Sequence, residues 1–96
     1  MEILVTYDVA TDTREGQKRL RKVAKLCKAH GQRVQKSVFE CKVDDMQLER
    51  FLFALRNVIH EDEDSLRIYR LREPYEKYMQ ELGKKLPYTL RDPLVF

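Results

Sequence analysis

Residues 33–43, RVQKSVFECKV, have the composition of a strand but cannot form one flat strand. Phe39, Cys41 and Val43 alternate as one apolar face. Carried backward, that phase lands on Ser37, Gln35 and Arg33, which are polar, while Val34 belongs to the opposite phase. A strand with one buried face cannot switch phase without a bulge, bend or turn. The break falls at Lys36-Ser37, so either one strand kinks there or two short strands meet in a tight hairpin. Residues 2–9 behave differently. Ile3, Val5, Tyr7 and Val9 share one face and Leu4 and Thr6 the other, so both faces are apolar, as in a central strand.

These two segments frame the rest. Residues 10–15, ATDTRE, read as a polar loop. A helix follows to about residue 30, with Leu20, Val23, Ala24 and Cys27 on one apolar stripe and Lys18, Arg21, Lys22, Lys25 and Lys28 opposite, Arg19 on the flank. Gly31 is expected to supply its C-terminal stop. A second helix is expected over 44–59, opened by an Asp44/Gln47 capping box, with Leu48, Phe51, Leu52, Leu55, Val58 and Ile59 inward. Met46 and Phe53 lie off that stripe, at its edge or against another chain. The acidic loop HEDEDS reads as solvent-facing, SLRIYRL as a strand, and Pro74 as the start of a short helix through Tyr75, Tyr78, Met79 and Leu82 that Gly83 ends. The tail LPYTLRDPLVF is apolar and reads as a segment that docks on a partner. The order fits an α+β class: one ferredoxin-like βαββαβ domain over 1–96, with 84–96 as a C-terminal arm or strand.

A chain of 96 residues buries a modest core and often leans on a second chain. Its longest apolar runs fall far short of a membrane span. The start MEILVTYDV lacks the basic region of a signal peptide, and Cys27 and Cys41 lack metal spacing, so they read as reduced core thiols of a cytoplasmic protein. The net charge of +3 hides segregation: residues 14–36 carry nine Lys or Arg against one Glu, and residues 37–66 carry three against eight acids. A polarised surface suits a polyanion, although charged helix faces are often merely solvated.

No glycine-rich phosphate loop, zinc-spaced Cys/His cluster or Ser/His/Asp arrangement stands out, and His30 and His60 read as surface residues. Asp8 is the candidate for chemistry. It follows an apolar strand, so its place at the strand's C-terminal end is defined. A carboxylate there either binds a hard divalent cation or accepts backbone bonds in the following turn. One carboxylate per chain is a poor site; two copies facing across a twofold axis would share one. Arg14, Lys18, Arg19 and Lys22 are nearest the Asp8 end and suit phosphate contacts without base reading. No aromatics interleave with them, which favours duplex backbone over stacked single strands.

At this level of detail the sequence becomes familiar. The strand ending YDV, the helix RLRKVAKLC, the run G-x-RVQ-x-SVFE from Gly31 to Glu40, and DSLRIYRL closely resemble the CRISPR-associated Cas-two family over essentially the whole chain. The form looks closest to members that accompany type I-C systems. The resemblance implies a ferredoxin-like homodimer with sheets packed face to face, RVQKSVFE supplying the second and third strands and the C-terminal segment crossing the dimer. It implies that Asp8 is the proposed nuclease carboxylate, binding Mg2+ or Mn2+ near the dimer axis, with Tyr7, Arg33, Ser37 and Phe39 at further positions of the family's pattern, Arg33 among the nucleic-acid-binding residues and the other three in support. It also implies work in antiviral defence with the Cas-one integrase, the dimer bridging integrase dimers and holding the double-stranded DNA of a new spacer. Metal-dependent cleavage of DNA or of single-stranded RNA is described for members. Two functions follow, a metal-dependent endonuclease and a DNA-binding structural adaptor without physiological nuclease activity. A small regulatory ligand binder is disfavoured by the missing glycine-rich loops.

Overall fold

The computed structural model describes residues 1–84. The elements run β1 (Glu2–Asp8), α1 (Arg14–Lys28), β2 (Gly31–Gln35), β3 (Val38–Lys42), α2 (Asp45–Val58) and β4 (Ser65–Arg70), followed by a single 3-10 turn, Tyr75–Tyr78. The strands form one antiparallel sheet in the order β2-β3-β1-β4, with β1 central as its two apolar faces require. This is the expected ferredoxin-like plan. Ile3, Val5, Tyr7 and Val9 of β1 and its exit, with Phe39, Cys41 and Val43 around β3, pack against Val23, Ala24 and Cys27 of α1 and Leu48, Phe51 and Leu55 of α2. One sheet face is therefore covered by the helices. The other carries Leu4, Thr6 and Asp8, opposite Tyr69, Arg67 and Ser65 of β4.

The phase break resolves as a hairpin turning at Lys36-Ser37, between β2 and β3. A second irregularity accompanies it: the register shifts between Arg33 and Gln35, so Arg33 pairs with Phe39 and Gln35 with Val38. Arg33 lies on the helix-covered side beside Phe39 by ordinary alternation from Gly31, which pairs with Cys41, and the bulge at Val34 shifts only the residues that follow.

Both helices begin on side-chain caps. Thr13 accepts from the Gly16 N–H at 3.0 Å, so α1 starts inside the segment expected to be loop. Asp44 and Gln47 exchange hydrogen bonds of 2.7 and 2.9 Å, the expected capping box. Phe53, off the α2 stripe, is 68% exposed.

Some expectations need correction. Helix α1 stops at Lys28, and Gly31 is not its left-handed terminator: among the described residues only Gly83 has positive φ, at 84°. Gly31 opens β2, and a Cβ there would collide with the Glu40 carbonyl and crowd the Cys41 sulfur at 2.8 Å. Glycine is required by close packing rather than by helix termination. The helix expected from Pro74 to Gly83 is only the Tyr75–Tyr78 turn, and Met79 is extended at φ −116°. No side chain caps that turn, and one uncapped turn cannot offset helix nucleation. Instead the segment is tied to the sheet, with the Leu71 N–H donating to the Glu2 carbonyl at 2.8 Å and the Tyr75 N–H to the Glu2 carboxylate at 3.2 Å. Tyr75, Tyr78 and Met79 thereby form a hollow with Leu4 and Glu40 on the open face. The proposed arm, 84–96, lies outside the described residues beyond Lys84.

Candidate functional site

Strand alternation sends consecutive residues of β1 to opposite faces, and at its C-terminal end this separates two chemistries. Asp8 is exposed on the open face, opposite Ser65. Its carboxylate takes no hydrogen bond or ion pair from the described residues. Tyr7 points the other way, into the helix-covered layer, where it is 6% exposed. Its ring stacks on Phe39 with centroids 6.2 Å apart, and the Arg33 guanidinium lies 5.1 Å from the Phe39 centroid. The Tyr7 N–H donates to the Ser37 carbonyl at 3.1 Å, pinning the hairpin turn to β1. Tyr7, Arg33, Ser37 and Phe39 are thus brought together as one cluster. The sheet itself stands between that cluster and the Asp8 side chain.

The Tyr7 hydroxyl is buried and has no hydrogen-bond partner among the described residues. Burial pushes its pKa up, and the polar groups of Arg33 and Ser37 beside it pull it partly back.

Arg14, Lys18 and Lys22 are exposed on α1, and the four-residue steps among them align all three along one side of the helix. Arg19 is placed differently. Its Nε donates to Asp64 Oδ2 at 2.8 Å, and its Nη2 to Asp64 Oδ1 at 3.3 Å and to Glu63 Oε2 at 3.1 Å. The guanidinium grouped with the phosphate-contacting residues is committed to a bridge between α1 and the loop before β4. That loop was also misjudged as wholly solvent-facing, because the Asp64 side chain is 0% exposed. Besides Arg19, Asp64 accepts from the Ala10 N–H at 3.1 Å and the His60 N–H at 2.8 Å. Burial pushes the Asp64 carboxyl up, but the Arg19 and backbone hydrogen bonds and the Arg19 charge outweigh it and hold the carboxyl below its ordinary range. Asp64 thereby fixes residue 10, two beyond Asp8, against the start of β4.

Among the described residues, no group of three or more His, Cys, Asp or Glu could hold a metal ion. Asp8 alone offers a hard cation one carboxylate, which fits a divalent ion only if a second copy supplies another. Arg21 and Lys36 escaped attention as site residues. They converge with Tyr7, Arg33 and Ser37 on a cleft between α1 and the β2–β3 hairpin. The available signal was the polar run at 35–37 between two strands, but its pairing with Arg21 depends on how the helix lies on the sheet. No helix of the described residues is long and apolar enough to cross a membrane.

Comparison with known proteins gives a consistent picture. A family model described as CRISPR associated protein Cas2 matches residues 1–79. CRISPR-associated endoribonuclease Cas2 1 of Moorella thermoacetica is 59% identical over 95 residues, covering 99% of each chain. The crystal structure of Streptococcus pyogenes Cas2 at pH 6.5 superposes with a TM-score of 0.78 at 48% identity, over 86% of this chain and 100% of that one. A chain from a partial Cas6-RT-Cas1–Cas2 complex is similar with a TM-score of 0.68 at 25% identity, over 99% of this chain and 98% of that one.

Proposed function

The chain belongs to the CRISPR-associated Cas2 family, and on that premise we propose that it serves CRISPR adaptation as a dimer that grips duplex DNA and docks the Cas-one integrase. Similarity to a chain of a Cas1–Cas2 complex over nearly the full length of both supports the integrase partnership. The observation that carries DNA binding is the exposed line Arg14, Lys18 and Lys22 on α1. Cations spaced along one helix side meet successive phosphates and read no sequence. Dimerisation is supported by the open sheet face, where Tyr69 is 44% and Tyr78 55% exposed beside Leu4 and Met79. A patch of this kind that the described residues leave exposed is commonly covered by a partner.

Endonuclease activity on DNA or RNA accompanies this role in the reading we favour, supported by the activity in the Moorella relative's name. Asp8 from each copy would hold Mg2+ or Mn2+. Such an ion, when bound, supplies an activated water and charge stabilisation at the scissile phosphate. The protein's own part is to present Asp8 at a fixed strand end, braced by the Asp64 bonds to Ala10 and His60. Two facing carboxylates repel, so a cation between them also steadies the dimer.

The decisive assay is cleavage of labelled duplex DNA and single-stranded RNA by wild type and Asp8→Ala, with magnesium, manganese and chelator. Cutting that needs metal and is lost in the variant supports the nuclease and identifies its substrate. No cutting, or equal cutting by both, removes Asp8 from catalysis and leaves the structural adaptor. In parallel, Arg14, Lys18 and Lys22 changed together to Ala should reduce the salt dependence of duplex binding by about 0.9 per lost phosphate contact. An unchanged salt slope would put the DNA elsewhere.

A further inference from the structure

Tyr7, Arg21, Arg33, Lys36 and Ser37 surround a cleft of about 490 Å3 between α1 and the β2–β3 hairpin. It lies on the helix-covered side of the sheet, away from the face that presents Asp8. Its lining divides by chemistry. Leu20, Ala24 and Val34 make an apolar wall, Arg21 and Lys36 are exposed cations at the rim, and among the described residues no carboxylate lines it. Arg33 adds positive charge from its place over the Phe39 ring. Tyr7 belongs to this lining, and its hydroxyl is buried beside the cleft without a hydrogen-bond partner among the described residues. Native proteins satisfy nearly all buried polar groups, and an exception beside a cleft leaves a donor that a bound molecule can engage.

We propose that this cleft binds a phosphate monoester carried on a nucleoside. The phosphate oxygens accept from the Tyr7 hydroxyl, Arg21 and Lys36, and the nucleoside lies on Leu20, Ala24 and Val34. Two features select this class over inorganic phosphate. The volume falls in the range of small-molecule pockets and far exceeds one phosphate, and the apolar wall would be idle against a bare anion. Cationic donors without a carboxylate select an anion over a neutral nucleoside. The same chemistry comes from a free nucleotide or from the 5′-phosphorylated end of a nucleic-acid strand. The inference does not depend on Asp8 or on the α1 cation line, so it can fail while the adaptor reading stands.

The test is calorimetric titration of the full chain with AMP, with a 5′-phosphorylated tetranucleotide and with the same tetranucleotide ending in a 5′-hydroxyl. We expect a phosphorylated ligand to bind at least about tenfold tighter than the hydroxyl form, as loss of charge-assisted hydrogen bonds requires. Binding of AMP alone assigns a free nucleotide, and comparable binding of the phosphorylated strand assigns a strand end. Tyr7→Phe keeps the ring on Phe39 and should weaken phosphorylated ligands about tenfold without lowering the Tm of the free protein. Arg21→Ala combined with Lys36→Ala, both at exposed positions, should abolish the preference and carries the test should Tyr7→Phe fail to fold. Equal binding of phosphorylated and hydroxyl ends, or an unaltered preference in the Arg21/Lys36 variant, overturns the proposal.

Discussion

The two faces of the sheet are made by the same strands, residue by alternate residue, and they are finished differently. On the helix-covered face, Ile3, Val5, Phe39 and Cys41 are fully buried against residues the chain itself supplies. On the open face, among the described residues, Leu4 lies beside the short Tyr75–Tyr78 turn and Tyr69 is 44% exposed. The covered face makes the fold, and the open face is less completely covered by the described residues. The face carrying the candidate metal ligand is thus the one that the described residues leave more open. Asp8 and Tyr7 repeat this division within two residues of one strand.

The comparison is sharpest where it predicts unequal damage. Phe51→Ala removes a buried ring from α2, and we expect a loss of about 3–5 kcal/mol in urea unfolding. A loss below about 1 kcal/mol would mean the covered face is not the folding core. Tyr69→Glu, on the open face, should leave the unfolding of the monomer nearly unchanged but weaken self-association by about thirtyfold or more in sedimentation equilibrium. An unaltered dimer would place the second copy on another surface. The smallest effect is expected between the faces, at Asp64. Its carboxyl is held below its ordinary value in the folded chain, so its contribution is present above that value and fades as pH falls through the folded one. Asp64→Asn should lower Tm by several degrees near neutral pH and flatten the acid limb of Tm against pH. Parallel acid limbs in the two proteins would show that Asp64 is not a source of acid sensitivity.

How much of this was legible in the sequence follows from what each feature depends on. Apolar periodicity gave the stripe of α1 and the inward face of α2, because a helix repeats its own geometry. The Asp44/Gln47 box was legible because both partners sit in one turn. The phase break at Lys36-Ser37 announced a discontinuity, but the bulge at Val34 is a property of pairing with β3, which no local pattern records. Arg19 looked like any other cation of α1. Its partner Asp64 is 45 residues away, and only the return of β4 beside β1 brings them together. Gly31 was recognised as a required glycine, but for the wrong reason, since the Glu40 carbonyl that excludes a side chain belongs to a different strand. For the candidate site, Tyr7, Arg33, Ser37 and Phe39 were picked out by family resemblance, and the structure shows them in contact with one another and turned away from Asp8.

The two cysteines give the covered face a practical use. Cys27 on α1 and Cys41 on β3 are both fully buried, with thiols pushed up to about 12, in each case chiefly by burial. Thiolate is the reactive form, so an alkylating probe in neutral buffer finds almost none of it while the helix lies on the sheet. Labelling therefore has to wait until α1 lifts away, and its rate counts opening events. The protein carries an internal clock for its own unfolding, readable by mass, with no dye or engineered residue.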